Sequence, residues 1–204
     1  MDPSPRVRRF LVLTTLADEI MERHPGYRVE IIRGQLLVSP LRGGHHSCTL
    51  TTLTIKFVKA GLHDDIVNVL QGVGLWLPLE AEDYAVPDLS VVDADIEQHH
   101  VRNNTYAPSS FRLDLEVTSE NWKYDLETKV AAYAEAKVPI YLIVNRRHNR
   151  LHVLTDPTGA HYSTHRVHSP GETVTLPDSL GAEVTLDVAE ILAAGRTKSA
   201  PDEG

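Results

Sequence analysis

The sequence predicts a single α/β (α+β) domain: a mixed β-sheet flanked by helices, with extra strands towards the C-terminus. The main observation is a strand-like run FRLDLEV (111–117), then a helix-like run DLETKVAAYAEA (125–136), then a nearly all-apolar run VPIYLIVN (138–145). Such a unit is typical of two parallel strands joined by a helix. Helix-like and strand-like segments precede it, and short strand-like segments follow it. With 204 residues, the chain is long enough for one packed core.

The N-terminal part predicts two helices around a hairpin. After a loose, proline-containing leader, residues 14–25 have the pattern of a helix that Thr14 or Thr15 caps. YRVEIIRGQLLVSP (27–40) has two apolar runs whose turn Gly34 supplies. HHSCTLTTLTIKFVKAG (45–61) then carries apolar residues at helical spacing.

Strands and a loop are predicted between the second helix and the central unit. Residues 66–79 are rich in β-formers with a glycine break, and YAVPDLSVVD (84–93) has the pattern of a short strand opened by Pro87. Residues 97–110 are polar and punctuated by proline, which is typical of a loop.

The C-terminal part predicts further strands and a short closing helix. The strands are expected in RLHVLTD, AHYSTHRVHS and ETVTLP, and the helix in TLDVAEILAAG. The domain is therefore expected to span residues 1–195, with residues 196–204 as a disordered tail.

Composition excludes some classes of function. The formal net charge of −8 argues against a broad basic surface that would bind nucleic acid non-specifically. No run approaches the roughly 20 apolar residues that span a bilayer, so we expect no membrane partner. The single cysteine, Cys48, cannot form an internal disulfide, which favours a cytoplasmic protein.

Two acids interrupt the first strand of the central unit. Since residues two apart on a strand share a face, Leu113, Leu115 and Val117 point to one side and Asp114 and Glu116 to the other. The acidic face then looks into a cleft or into solvent. A half-exposed strand with a solvated polar face is an equally good interpretation of this pattern alone.

The position of Asp88 favours the interpretation in which the acidic face of the strand looks into a cleft. Asp88 follows Pro87 in an otherwise apolar run, where a carboxylate is costly to bury unless it is paired or binds a metal. Carboxylates that converge from neighbouring strands form the oxygen-rich site that magnesium or manganese prefers. Glu30 interrupts the first hairpin strand. Alone it is an edge charge that discourages sheet extension, but near the other acids it could complete the outer shell of the metal.

Lys129 lies on the helix that follows the acidic strand. At a spacing of four, Asp125, Lys129 and Tyr133 share one helical stripe. The lysine can therefore present a positive charge to a phosphate or an attacking water at the acidic end of the strands. The simpler alternative is an exposed Asp125–Lys129 pair, worth a few tenths of a kcal/mol.

Four motifs in this order resemble a known family. They are VEIIRGQLLVSP, the histidine that opens the second helix, PDLSVVD, and LEVTSENWKYDLETKVAAYAEAKVPIYLIV. The set, from about residue 16 to residue 194, resembles the Uma-type family of "putative restriction endonucleases", which belongs to the PD-(D/E)XK nuclease superfamily. The resemblance implies a restriction-endonuclease-like core and a magnesium-dependent acidic site.

The resemblance also implies roles for individual residues. Asp88 matches the acid after the proline, Glu116 the second acid, and Glu30 the acid on the first hairpin. The superfamily lysine stands two residues after the second acid, where this chain has Thr118. In the Uma-type pattern the lysine is moved to the next helix, the place of Lys129.

The family histidine has two possible positions here. His46 matches because Leu53 follows seven residues later, and His45 is the alternative. In the resulting hypothesis Asp88 and Glu116 hold the metal, Glu30 and Lys129 assist catalysis, and His46 or Tyr133 positions the substrate.

Two classes of function follow. The first is a metal-dependent endonuclease that hydrolyses phosphodiester bonds in DNA with magnesium or manganese. Because enzymes of this fold that cut duplex DNA commonly need two active sites, a homodimer is one expected state of such an enzyme. The second is a catalytically inactive nuclease-fold module that binds nucleic acid or a partner protein. Thr118 and the acidic charge balance favour the second class.

Overall fold

The computed structural model describes residues 5–79, 82–118 and 122–196. The helices in these ranges are α1 Pro5–Arg23, α2 Gly44–Lys59, α3 Trp122–Leu126, α4 Thr128–Glu135 and α5 Val188–Ala193. The strands are β1 Arg28–Ile32, β2 Gln35–Ser39, β3 Val67–Leu70, β4 Gly74–Trp76, β5 Tyr84–Ala85, β6 Leu89–Asp93, β7 His100–Arg102, β8 Thr105–Tyr106, β9 Phe111–Val117, β10 Ile140–Asn145, β11 Arg150–Thr158, β12 His161–His168, β13 Thr173–Thr175 and β14 Thr185–Asp187.

The strands form two large sheets and one small sheet. The first sheet has the order β2-β1-β5-β4-β8-β7, and the second has the order β12-β11-β10-β9-β6-β3. Both are mixed, since β4 pairs in parallel with β8 and β9 pairs in parallel with β10. The predicted strand–helix–strand unit is therefore confirmed. Strands β13 and β14 form a separate antiparallel pair. Strand β13 lies in the predicted strand ETVTLP, whereas β14 occupies the first three residues of the predicted closing helix, which begins only at Val188. The other two predicted C-terminal strands join the second large sheet as β11 and β12.

The second sheet is covered on both faces. On one face, Leu113, Leu115 and Val117 of β9 pack in a core with Leu53 and Phe57 of α2. Strands β13 and β14 and helix α5 contribute to the same core. Truncation of a fully buried side chain such as Phe57 typically costs about 3–5 kcal/mol. This core fixes the strand that carries the predicted acids.

The opposite face of the second sheet looks towards the first sheet. Tyr141 and Ile143 of β10 pack there with Tyr133 of α4 and with Ile32 and Leu75 of the first sheet. Because side chains alternate along β9, Asp114 and Glu116 point into this layer, and both are buried. The solvated polar face considered for this strand is therefore wrong.

The β1–β2 hairpin is confirmed, and its turn uses two left-handed residues. Arg33 has φ 54° and Gly34 has φ 65°, as in the type I′ turns that match the twist of a two-residue hairpin. The carboxylate of Asp83 accepts hydrogen bonds from the backbone N–H groups of both residues, at 2.5 and 3.2 Å. The turn is thus tied to the segment that leads into β5.

Further boundaries differ from the sequence-based expectation. Helix α1 begins at Pro5 rather than near Thr14, because proline is well suited to the first turn of a helix. The predicted helix at 125–136 is divided into α3 and α4. The predicted loop at 97–110 contains the short strands β7 and β8.

The predicted strand at 84–93 is also divided. Strand β5 ends at Ala85 and β6 begins at Leu89, so Pro87 and Asp88 lie in a link between the first and second sheets. Proline cannot donate a ladder hydrogen bond, which favours a break at this point. Of the predicted tail, residues 197–204 lie outside the described residues.

No helix among the described residues is long and apolar enough to cross a membrane.

Candidate active site

Four predicted residues meet where the two large sheets join. Glu30 lies on β1 of the first sheet, Glu116 on β9 of the second sheet, and Asp88 in the link between the sheets. Lys129 lies in the first turn of α4, directly above Glu116. Residues far apart in the sequence therefore form one contiguous charged cluster.

Lys129 bridges two of the acids. Its Nζ lies 2.6 Å from Oε1 of Glu116 and 2.9 Å from Oε1 of Glu30. The side chain is only about 2% exposed. The alternative of a surface pair with Asp125 is therefore wrong. The ammonium pairs instead with a carboxylate from each of the two large sheets.

Neutral donors fix the two glutamates in place. The backbone N–H of Val86 donates to Oε1 of Glu30 at 2.9 Å. The hydroxyl of Tyr133 donates to Oε1 of Glu116 at 3.1 Å. Tyr133 has no exposed surface, so it lies behind Glu116 and orients that carboxylate, away from any substrate.

Asp88 is clamped to β9 by one of its two oxygens. Its Oδ2 accepts a hydrogen bond from the backbone N–H of Val117 at 2.8 Å. The imidazole Nε2 of His46, in the first turn of α2, lies 3.3 Å from the same oxygen, without hydrogen-bond geometry. His46 is buried whereas His45 is exposed. Of the two positions considered, only His46 therefore reaches the acids.

Arg28 belongs to the cluster although the motifs did not indicate it. Its Nη1 lies 2.8 Å from Oδ1 of Asp88 and 3.7 Å from Oε2 of Glu116. The same nitrogen donates to the carbonyl oxygen of Val86 at 2.8 Å. Arg28 lies two residues before Glu30 on β1, and residues two apart on a strand point to the same face. That spacing was the signal available in the sequence.

A cleft leads from the surface to Asp88. It has a volume of about 370 Å³ and is lined by Arg28, Arg42, His46, Gln71 and Asp88, among others. The Nη2 of Arg42 lies 3.5 Å from Oδ1 of Asp88, and the side chain is 25% exposed. Nothing in the local sequence pattern indicated Arg42, because it lies in the loop before α2.

A larger cavity adjoins this cleft. Its volume is about 530 Å³, and its walls come mainly from α1, β1 and the first sheet, with Trp76 and Tyr84 among them. Arg28, Gly26, Leu41 and Gly72 line both spaces. Arg28 therefore stands at the passage between them.

Thr118 occupies the usual superfamily lysine position and has a structural role. Its hydroxyl donates to the carbonyl oxygen of Val144 at 3.3 Å and accepts from the backbone N–H of Arg146 at 3.2 Å. Thr118 thus extends the β9–β10 pairing by one residue. The ammonium group beside the second acid comes from Lys129 instead.

Comparison with known proteins identifies the family. The profile of the Uma2 family, described as "Putative restriction endonuclease", matches residues 16–189. The chain belongs to the Uma2 family. The predicted resemblance is therefore confirmed.

A solved structure agrees with this assignment at the level of the fold. It is the crystal structure of a "putative nuclease belonging to DUF820" from Anabaena variabilis, with a TM-score of 0.62 and 15% sequence identity. The match covers 80% of this chain and 90% of that chain. Comparison with the curated proteins finds no match.

The electrostatics of this Uma2-family site keep Lys129 charged. Burial lowers the pKa of Lys129, but the carboxylates of Glu116 and Glu30 outweigh it, so its pKa is raised. Burial raises the pKa of Glu30, but the positive charges of Lys129 and Arg28 outweigh this effect, so the pKa of Glu30 is lowered. Lys129 and Glu30 thus form an ion pair in the interior.

The remaining acids hold their protons more tightly than exposed carboxyl groups do. Burial, with the neighbouring Asp88, raises the pKa of Glu116 well above its usual range. Burial raises the pKa of Asp125 to about 6 and that of Asp114 to about 7. Burial therefore shifts these three groups towards the neutral, protonated form.

Two carboxylate oxygens of the cluster are of the type that binds a divalent cation, and Arg28 lies between them. Two oxygens, Oδ1 of Asp88 and Oε2 of Glu116, converge on Nη1 of Arg28, so a positive charge already stands between them. Carboxylate oxygens are the ligands that Mg²⁺ and Mn²⁺ prefer. Among the described residues, no three His, Cys, Asp or Glu side chains are arranged as a ready-made metal site.

Proposed function

We propose that this Uma2-family chain is a divalent-metal-dependent endonuclease that hydrolyses phosphodiester bonds in DNA. The observation that supports it is one buried cluster of Glu30, Asp88, Glu116 and Lys129, which reaches an open cleft through Asp88. A structural role alone gives no reason to gather four buried charges, because buried ion pairs add little net stability. Family membership supports a nucleic acid as the substrate.

Asp88 and Glu116 would hold Mg²⁺ or Mn²⁺ through Oδ1 and Oε2. When bound, such an ion neutralises charge on a phosphate and lowers the pKa of a coordinated water. Glu30 is held by Lys129 and by the N–H of Val86, so it would act from the outer shell.

Lys129 would act as a fixed positive charge. Because its pKa is raised, it stays protonated near neutral pH and does not serve as a general base. Of the two roles expected from the sequence, this favours stabilisation of negative charge on the phosphate over removal of a proton from water. Tyr133 would keep Glu116 in the required orientation.

Arg42 and His46 would contact the substrate backbone at the mouth of the site. Both line the cleft beside Asp88. A guanidinium binds phosphate oxygens in bidentate fashion, which suits the partly exposed Arg42. His46 would position a phosphate or the carboxylate of Asp88.

Asp88→Asn is the direct test of the endonuclease proposal. Asparagine keeps an oxygen for the N–H of Val117 but loses the charge that binds the cation. We expect Mg²⁺-dependent cleavage of supercoiled plasmid to fall by about 10²–10³-fold or more. Asp93→Asn is the control, since Asp93 pairs with Arg112 at 2.7 Å, away from the cluster. Equal cleavage by wild type and Asp88→Asn would exclude this mechanism.

One observation favours the catalytically inactive module instead. Arg28 and Lys129 already neutralise part of the acidic cluster without a metal. Calorimetric titration with Mn²⁺ separates the two functions, because the enzyme must bind the ion at the acids. Heat of binding that is present in wild type and absent in Asp88→Asn supports the endonuclease.

A further inference from the structure

We propose that Arg28 and the divalent cation are alternative occupants of one position, so that metal binding requires the Arg28 guanidinium to leave the acids. Arg28 would then control how readily the site is loaded. This inference rests on the proposed metal-dependent function and adds a residue that acts as the internal competitor of the metal.

The position of Arg28 is the first argument. Its Nη1 is the atom on which Oδ1 of Asp88 and Oε2 of Glu116 converge, at 2.8 and 3.7 Å. These are also the two oxygens that remain for a metal. Oδ2 of Asp88 accepts from the N–H of Val117, and Oε1 of Glu116 is bound by Lys129 and Tyr133.

Simultaneous occupation is disfavoured by size and by charge. Mg²⁺ lies about 2.0–2.1 Å from its oxygen ligands and demands near-octahedral geometry, so it needs the space that Nη1 fills beside Asp88. Two cations at such short range also repel each other strongly in a buried site. The guanidinium and the metal therefore compete for the same oxygens.

Arg28, rather than Lys129, is the cation able to move. Its side chain is 17% exposed, whereas that of Lys129 is about 2% exposed. Arg28 lines both the cleft and the larger cavity, which gives its guanidinium room to turn away. Lys129 lines neither of these two spaces.

The Arg28 guanidinium is also incompletely bonded where it lies. Nη1 makes hydrogen bonds to Asp88 and to the carbonyl of Val86. The buried Nε has no hydrogen-bond partner, and its nearest acid oxygen, on Glu30, is 3.6 Å away. A buried donor left without a hydrogen-bond partner destabilises the arrangement that contains it. That destabilisation favours departure of the guanidinium once a metal replaces its positive charge.

This arrangement lowers the apparent metal affinity. If the open site is only a fraction of the population, the apparent dissociation constant rises by the inverse of that fraction. Removal of the guanidinium should therefore tighten metal binding. A purely structural Arg28 predicts the opposite, since its loss would disorder the acids.

Calorimetric titration with Mn²⁺ alone tests the inference, with wild type, Arg28→Met and Arg112→Met. Methionine keeps the apolar stem and removes the charge. Arg112→Met removes an arginine from β9 whose partner is Asp93, outside the site. We expect Arg28→Met to bind Mn²⁺ at least tenfold more tightly than wild type, and Arg112→Met to match wild type. Equal or weaker binding by folded Arg28→Met overturns the inference but leaves the proposed function intact. Absence of binding in wild type and in Arg28→Met overturns both.

A measurement on wild type covers the case in which Arg28→Met does not fold. The Nε–H resonance of Arg28 in ¹⁵N-labelled protein, titrated with Mg²⁺, should shift along the same isotherm as metal binding. The Arg112 resonance should stay in place. An Arg28 resonance that does not move while Mg²⁺ saturates the site overturns the inference.

Discussion

Burial of the Lys129 ammonium carries a desolvation cost. An ammonium taken out of water must be compensated by good ion-pair geometry, which Glu30 and Glu116 provide at 2.9 and 2.6 Å. The pair also connects the two large sheets. Lys129 therefore affects both the stability of the fold and the charge of the site.

Lys129→Met should be strongly destabilising. Loss of the ammonium leaves Glu30 and Glu116 with the longer contacts to Arg28, at 3.6 and 3.7 Å, and removal of one partner of a buried pair costs about 3–5 kcal/mol. Urea unfolding followed by circular dichroism measures the free energy of unfolding. Lys123→Met is the matched control, because Lys123 is exposed on α3 and its loss should change stability by less than about 0.5 kcal/mol. Equal stability of Lys129→Met and wild type would contradict the ion-pair account.

Single residues were predictable where their chemistry conflicted with their surroundings. A carboxylate at position 88 in an apolar run, or at position 116 on a buried strand, indicates a partner or a metal. Arg28 was missed because a charged residue next to a turn is most simply interpreted as an exposed residue. Arg42 was missed because a loop residue has no periodicity from which its direction can be predicted.

At the level of elements, the link between β5 and β6 has the largest effect on the site. Sequence pattern predicts one strand through 84–93, whereas Pro87 and Asp88 form a break at which the chain passes from the first sheet to the second. Local pattern shows which residues are apolar but does not show which strand lies beside them. The break releases the carboxylate of Asp88 from a strand face and allows it to reach the N–H of Val117.

The β11–β12 hairpin contains a partly buried histidine pair, outside the acidic site. His152 and His165 lie on neighbouring strands, with Nδ1 of the first 2.9 Å from Nε2 of the second. Burial, followed by the proximity of His165, lowers the pKa of His152 to about 4. The folded hairpin thus holds His152 neutral at pH values well above 4.

The free energy of unfolding should decrease as the pH falls, because the unfolded chain protonates His152 more readily than the folded chain does. The unfolded chain binds a proton at this residue near pH 6.5 and the folded chain only near pH 4, so stability is lost as pH falls between these values. Because the imidazole is partly open to solvent, we expect a loss of about 1 kcal/mol between pH 7.5 and pH 5. His152→Gln should remove this part of the pH dependence in urea unfolding.

His161→Gln is the control for the hairpin experiment. His161 is exposed at the start of β12, so its replacement should leave the pH dependence as in wild type. The difference between the two variants separates His152 from the carboxylates, which titrate in all of them. Identical pH dependence in wild type and His152→Gln would contradict the assignment.

For the whole molecule, the fold class was predictable and the division into two large sheets was not. The strand–helix–strand unit at 111–145 fixes a parallel pair, and the parallel pair implies a mixed sheet with helices. Strands β3 and β4 are separated by only three residues yet belong to different sheets. Such long-range pairing depends on contacts between distant segments, and a local sequence pattern does not specify those.

Net charge also acts at the scale of the whole molecule. A chain of net charge −8 repels a phosphate backbone at long range, so under the proposed function contact with DNA would depend on local cations such as Arg42 and on the bound metal. A homodimer that presents two sites to the two strands of a duplex stays a prediction from the sequence.

Diffraction at a wavelength that detects Mn²⁺, from crystals soaked in that ion, tests the central claim most directly. The claim is that Asp88 and Glu116, held by Val117, Tyr133 and Lys129, form one cation site. The account predicts a single strong anomalous peak within about 2.0–2.5 Å of Oδ1 of Asp88 and Oε2 of Glu116. A peak elsewhere, or crystals with saturating Mn²⁺ and no peak between these two carboxylates, would contradict it.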